Sequence, residues 1–193
     1  MSSLPPPPAQ TPGEDPVLAA ICEAACAGTG ASTAWVVEII GDRLRVAAST
    51  GASASLARGR SVDVSGTVGY VAASGQPMAI TPRPGDTHLT GGLLGALDLE
   101  PSAVVAVPCH DDGEVVGVLE VIVERQGARF SFEDVELASL LAGVAGPAIS
   151  QRAGTTAAPS PEVLTAQLRS LASDAPARYA QVALVVQQLL ATA

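Results

Sequence analysis

The chain has 193 residues, enough for one domain with extensions but short for two full domains. Apolar residues make up 48% and charged residues 15%, and since Trp35, Tyr70, Phe130, Phe132 and Tyr179 are the only aromatics, the core must be aliphatic. There is no lysine: ten arginines stand against nineteen carboxylates, and the net charge of −9 repels a phosphate backbone, which argues against nucleic-acid binding.

Residues 1–14, with Pro5 to Pro8 and Pro12 among small polar residues, are expected to be a disordered arm. Asp15 and Pro16 then open a helix whose apolar residues Val17, Leu18, Ile21, Ala24 and Ala25 recur at helical spacing until Gly28-Thr29-Gly30. Residues 34–40 and 43–48 read as strands of a β-hairpin turning at Gly41-Asp42. A Gly/Ala/Ser-rich connector follows. Ser65-Gly66-Thr67 begins a short helix ending at Gly75, and Met78-Ala79-Ile80 is a short strand. Residues 82–101 read as a loop with a turn or two of helix around Leu93 to Leu97. Residues 103–109 and 115–123 flank the turn-forming His110-Asp111-Asp112-Gly113 and are expected to be the two central strands.

Ser131 and Asp134 fit a capping pattern, and Val135, Leu137, Leu140, Leu141, Val144, Ala145, Ala148 and Ile149 fill one broad face of a long helix. Residues 153–159 have linker composition. Residues 160–193 are expected to form an amphipathic helical tail, with Val163, Leu164, Leu168 and Leu171 on one stripe and Val182, Val185, Val186, Leu189 and Leu190 on a second. That tail must bury its stripes on its own domain or on a partner chain.

This order of elements implies an α+β fold, an antiparallel sheet with helices packed on it. Three groups of residues narrow it. The first is Gly66-Thr67-Val68-Gly69-Tyr70-Val71-Ala72 followed by Gly75-Gln76-Pro77-Met78-Ala79-Ile80; the second is the strand pair Ser102 to Pro108 and Gly113 to Val121; the third is Phe130-Ser131-Phe132-Glu133-Asp134 leading into Leu137. Taken in order, they resemble the GAF domain family over residues 15–152. The resemblance implies a GAF-like, PAS-related antiparallel sheet of five to six strands flanked by helices, followed by the helical C-terminal extension. It also implies a ligand space between the sheet and the segment from Thr81 to Pro101.

On that basis the candidate ligand-binding residues are Glu120, Trp35, Asp86, Thr87, His88 and Thr90. Glu120 is a carboxylate inside an apolar strand and needs a partner, because an unpaired buried charge costs several kcal/mol. It either faces the ligand, pairs with an arginine on a helix-covered face, or reaches solvent at a sheet edge. Cyclic-nucleotide-binding relatives carry Asn-Lys and Phe-Asp-Glu elements that appear here only as Val123-Glu124 and Phe132-Glu133-Asp134, which argues against a cyclic nucleotide.

Cys22, Cys26 and Cys109 have neither disulfide nor zinc spacing, so no metal and no cofactor are expected. No catalytic residue is identified either. GAF-type reductases of free methionine sulfoxide carry cysteines in the glycine-bounded helix and the pocket loop, where this chain has none. The apolar runs are too short to span a bilayer and no signal peptide is evident, so a cytoplasmic location is expected.

The expected function is non-enzymatic: sensing of a small molecule, with the signal passed to a separate output protein. The alternative is a ligand-free scaffold that forms a homodimer through the Val135 to Ile149 helix and the 160–193 tail, with the first helix contributing. A methionine sulfoxide reductase comes third.

Overall fold

The computed structural model describes residues 15–83, 91–125, 127–156 and 161–191; the expected disordered arm at residues 1–14 lies outside them. Helix α1 (Pro16–Thr29) starts where the sequence signals it, because the Asp15 carboxylate accepts hydrogen bonds from the Val17 and Leu18 amides at 2.8 and 3.3 Å, and it ends at Gly30 in the left-handed conformation. Strands β1 (Thr33–Ile40) and β2 (Arg43–Gly51) form the expected hairpin.

The connector is not structureless. It contains a single helical turn, α2 (Ala54–Ala57), and a three-residue edge strand, β3 (Ser61–Asp63), which pairs with the start of β2 and is pinned by an Arg43–Asp63 ion pair at 2.8 Å. Helix α3 (Gly66–Ser74) and strand β4 (Met78–Ile80) follow, then α4 (Gly92–Ala96), a single turn inside the long loop.

Strands β5 (Ala103–Asp111) and β6 (Glu114–Val123) meet at a tight turn in which Asp112 and Gly113 both have positive φ, 47° and 85°. Strand order is β3-β2-β1-β6-β5-β4, and every pairing is antiparallel. The central pair is therefore β1 and β6. Strand β5 lies one place further out than expected, because β4 adds to its outer edge and β1 inserts beside β6.

Both faces of this sheet are covered, which is why the strands read as nearly continuous apolar runs. One face carries α1 and the long helix α5 (Phe132–Thr156), with Leu18, Cys22, Ala138, Ala142, Ala145 and Ile149 packed on Val36, Val105, Val107, Leu119 and Val121. The other carries α2, α3 and α4, with Val68, Val71, Leu93 and Leu94 packed on Trp35, Val37, Val104, Ala106 and Val118. Ala47 is the extra residue of a bulge, since Val36 pairs with Ala48 and Val37 with Val46, and this puts Ala47 and Ala48 in the same cluster.

Helix α5 is capped as expected, the Asp134 amide donating to Ser131 Oγ at 3.2 Å and the Ser131 amide to Asp134 Oδ2 at 2.7 Å. Two expectations about it need correction. Its sheet-facing residues are mostly alanines, while Leu140 is 73% and Val144 56% exposed. The helix also continues through Thr156, so the first four residues of the expected linker are its last turn. A second unit, residues 155–193, contains α6 (Pro161–Asp174) and α7 (Pro176–Ala191), which pack on each other across a break at Ala175. Among the described residues, no helix is long and apolar enough to cross a membrane.

Candidate functional site

Strand alternation sends Leu119 and Val121 of β6 to the α1–α5 face and Glu120 to the α3–α4 face. Trp35 is the residue of β1 in register with Glu120, and Ala106 is its neighbour on β5. Register therefore lays the indole beside the carboxyl, and Trp35 Nε1 donates to Glu120 Oε2 at 2.7 Å. The other oxygen, Oε1, is hydrogen-bonded to the Thr67 hydroxyl in the first turn of α3. Both Glu120 and Trp35 are 0% exposed.

Of the readings left open by the sequence, solvent exposure and an arginine partner do not apply to Glu120. Its partners are an indole and a hydroxyl, neither of them charged. Burial dominates its acidity: desolvation of the charged form pushes the carboxyl from an ordinary 4.5 up to about 7, and the bonds from Thr67 and Trp35 reverse only part of that rise. Glu38, the other buried glutamate of the sheet, has a charged partner. Its cross-strand neighbour Arg45 donates Nε–H to Glu38 Oε1 at 2.5 Å, so that carboxylate is conventionally paired.

Two of the candidates from the sequence, Trp35 and Glu120, are thus in direct contact. Asp86, Thr87, His88 and Thr90 lie outside the described residues. Thr67 was missed. It stands between Gly66 and Gly69 in a segment whose residues all have structural explanations, and its only signal is a hydroxyl in the first turn of a helix that faces a strand carrying a carboxylate.

The close fit of α3 to α4 has a backbone cause. Gly66 and Gly92 both have positive φ, 68° and 61°, and a Cβ on either would run into the other segment, at the Gly91 carbonyl or the Ser65 carbonyl. The two helix starts are therefore in backbone contact above the sheet.

The thiols are on the other side. Cys22 and Cys109 belong to the α1–α5 face, and burial pushes Cys109 up to about 12 and the half-buried Cys26 up to about 11, well away from a reactive thiolate. Among the described residues, no group of three His, Cys, Asp or Glu side chains converges as a metal site would require.

Comparison with solved structures places this architecture among GAF domains. The GAF-B domain of DevS from Mycobacterium smegmatis superposes with a TM-score of 0.58 at 17% identity, over 72% of this chain and 94% of that one. The GAF domain from an Acinetobacter phosphoenolpyruvate-protein phosphotransferase gives 0.60 at 16% identity, over 72% and 82%. A type II free methionine-R-sulfoxide reductase from Thermoplasma acidophilum gives 0.56 at 14% identity, over 69% and 89%. Identities this low speak to the fold alone. No curated protein matches the chain. Residues 12–150 match the GAF domain family, and the chain belongs to that family.

Proposed function

We propose that this GAF domain is a non-enzymatic, cytoplasmic sensory or regulatory module that takes a small molecule on the α3–α4 side of its sheet and signals to a separate protein. The observation that carries this reading is Glu120. A carboxyl held in an apolar face with no counter-charge costs stability. Such a group is most readily understood as serving recognition or switching. Glu120 and Trp35 form the floor of the proposed ligand site, and Asp86, Thr87, His88 and Thr90 are its proposed polar contributors. Thr67, Leu93 and Leu94 close over the floor, each at most 2% exposed, so entry requires movement of α3 or α4.

Thermal melting of the purified protein against a panel of small metabolites tests the reading. A compound that raises Tm for the native chain and not for Glu120→Gln supports it; a panel without effect, or an effect identical in both proteins, counts against it.

A second reading, a scaffold that forms homodimers through α1, α5 and the 160–193 tail, is favoured by one observation. Leu140 and Val144 are exposed on α5 beside the half-buried Leu137 and Leu141, an apolar stripe that its own sheet does not cover. Sedimentation of the full chain and of Leu140→Glu decides: a dimer that the substitution dissociates supports this reading, and a monomer in both cases removes it.

A further inference from the structure

We infer that Glu120 is a proton-operated latch: its neutral form holds α3, and with it the start of α4, down on the sheet, and loss of its proton releases them. The inference rests on the proposal that the α3–α4 face is the input side, and it names a signal that this face can read without any ligand.

Three elements meet at the one carboxyl, β6 by its own backbone, β1 through the Trp35 indole and α3 through the Thr67 hydroxyl. The indole is a donor only, so it fixes Oε2 as an acceptor in either charge state. In the neutral acid the proton then sits on Oε1 and is donated to Thr67 Oγ. Both carboxyl oxygens have a partner and the site is uncharged. In the carboxylate the Thr67 hydroxyl donates instead, and two donors serve a group with about four acceptor positions.

Among the described residues, the side chains on this face from β1, β5, α3 and α4 include Trp35, Ala106, Thr67, Val68, Leu93 and Leu94, none of them ionisable. Among the described residues no cation is buried here to answer the charge, so water must, and Glu120 and Thr67 are at most 1% exposed while α3 is down. The remaining grip of α3 on the sheet is apolar, through Val68 and Val71. Backbone contact between the Gly66 and Gly92 segments means that α3 carries the start of α4 with it. The upward-shifted acidity of Glu120, about 7, places the switch in the neutral range.

Trp35 is the only tryptophan in the chain, so its emission and its indole N–H resonance report on this site without interference from another indole. The full chain and Glu120→Gln are titrated without ligand from about pH 5 to about pH 9, with amide hydrogen exchange of residues 66–74 followed in parallel and corrected for intrinsic rates. The expected result is a Trp35 transition centred near neutrality that is absent in Glu120→Gln, with α3 losing about tenfold or more in protection while β1 and β6 keep theirs.

A flat Trp35 signal, a transition that persists in Glu120→Gln, or a transition with α3 protection unchanged would each overturn the latch. If the variant does not fold, the Glu120 carboxyl carbon resonance of the native chain decides the same question: titration near neutrality supports the latch, and its absence overturns it. Metabolite binding by a protein whose Trp35 does not titrate would sink the latch alone. A titrating latch in a protein that no metabolite stabilises would sink the small-molecule proposal alone.

Discussion

The substitution Glu120→Gln should change how stability depends on pH more than it changes stability itself. In the folded protein the carboxyl holds its proton up to about 7, whereas an ordinary glutamate releases it near 4.5. Between those values the folded chain binds a proton that the unfolded chain has lost, so the contribution is complete below about 4.5 and is lost as pH rises through about 7. The separation corresponds to about 3 kcal/mol. Glutamine has the same shape, can accept from Trp35 and donate to Thr67, but buries a second amide hydrogen without an acceptor, at a cost of about 1–3 kcal/mol that does not vary with pH. The native protein should therefore be the more stable of the two near pH 5, and the advantage should vanish or reverse near pH 8. Urea unfolding of both proteins across this range, read by Trp35 emission, gives the difference directly. Contributions from carboxyls common to both cancel in that difference. A difference constant to within about 0.5 kcal/mol would refute the account of Glu120 as a buried acid.

Other parts of the structure make equally specific demands. Gly146→Ala should destabilise by about 1–3 kcal/mol in spite of alanine's better helix propensity, because its Cβ would meet the His110 backbone and lift α5, whereas Gly143→Ala, with nothing nearby, should gain up to about 1 kcal/mol; paired urea titrations check both. Arg45→Ala should cost about 1–3 kcal/mol by leaving the nearly buried Glu38 carboxylate without its partner, and Glu38→Gln in the same chain should recover part of the loss in a double-mutant cycle. In alkylation at mild alkaline pH followed by mass spectrometry, Cys26 should label slowly and Cys109 only when the chain unfolds, since Cys109 is wholly buried and its thiol is pushed up to about 12.

The sequence was most legible where structure is local. Asp15, Pro16 and Gly30 bound α1, Ser131 and Asp134 cap α5, and Asp112-Gly113 supplies the positive φ of its hairpin, because each signal lies within four residues of the feature it sets. Strand β3 was illegible for the opposite reason. Three residues show no period, and β3 exists because Arg43 to Arg45 offer it a ladder and Asp63 an ion pair. Helical periodicity indicated the width of the apolar arc on α5 but not its orientation. The part that meets the sheet is Ala138, Ala142 and Ala145, where small side chains allow close approach, and this leaves Leu140 and Val144 outside. At the candidate site, Glu120 stood out as a carboxylate in an apolar run, but its bond to Trp35 spans 85 positions and depends on strand register, and Thr67 reaches it only through the fold.

That same register gives the proposed input side a physical route to α5. Strand β6 is one backbone thick, and its successive side chains serve opposite faces: Glu120 meets Trp35 and Thr67, while Leu119 and Val121 lie in the cluster with Ala138, Ala142 and Ile149. Three residues before Glu120, Gly117 lies so close under Ile149 and the Val37 carbonyl that even a methyl group would not fit. A dense contact of this kind responds to a small shift of the strand by displacing its neighbour, since there is no void to absorb the movement. Charging Glu120 thus acts on both faces of β6 at once, loosening α3 directly and straining the seat of α5 through the strand. Because α5 also presents the uncovered stripe of Leu140 and Val144, the sensory and the scaffold readings converge on the same helix, one acting on its buried face and the other using its exposed one.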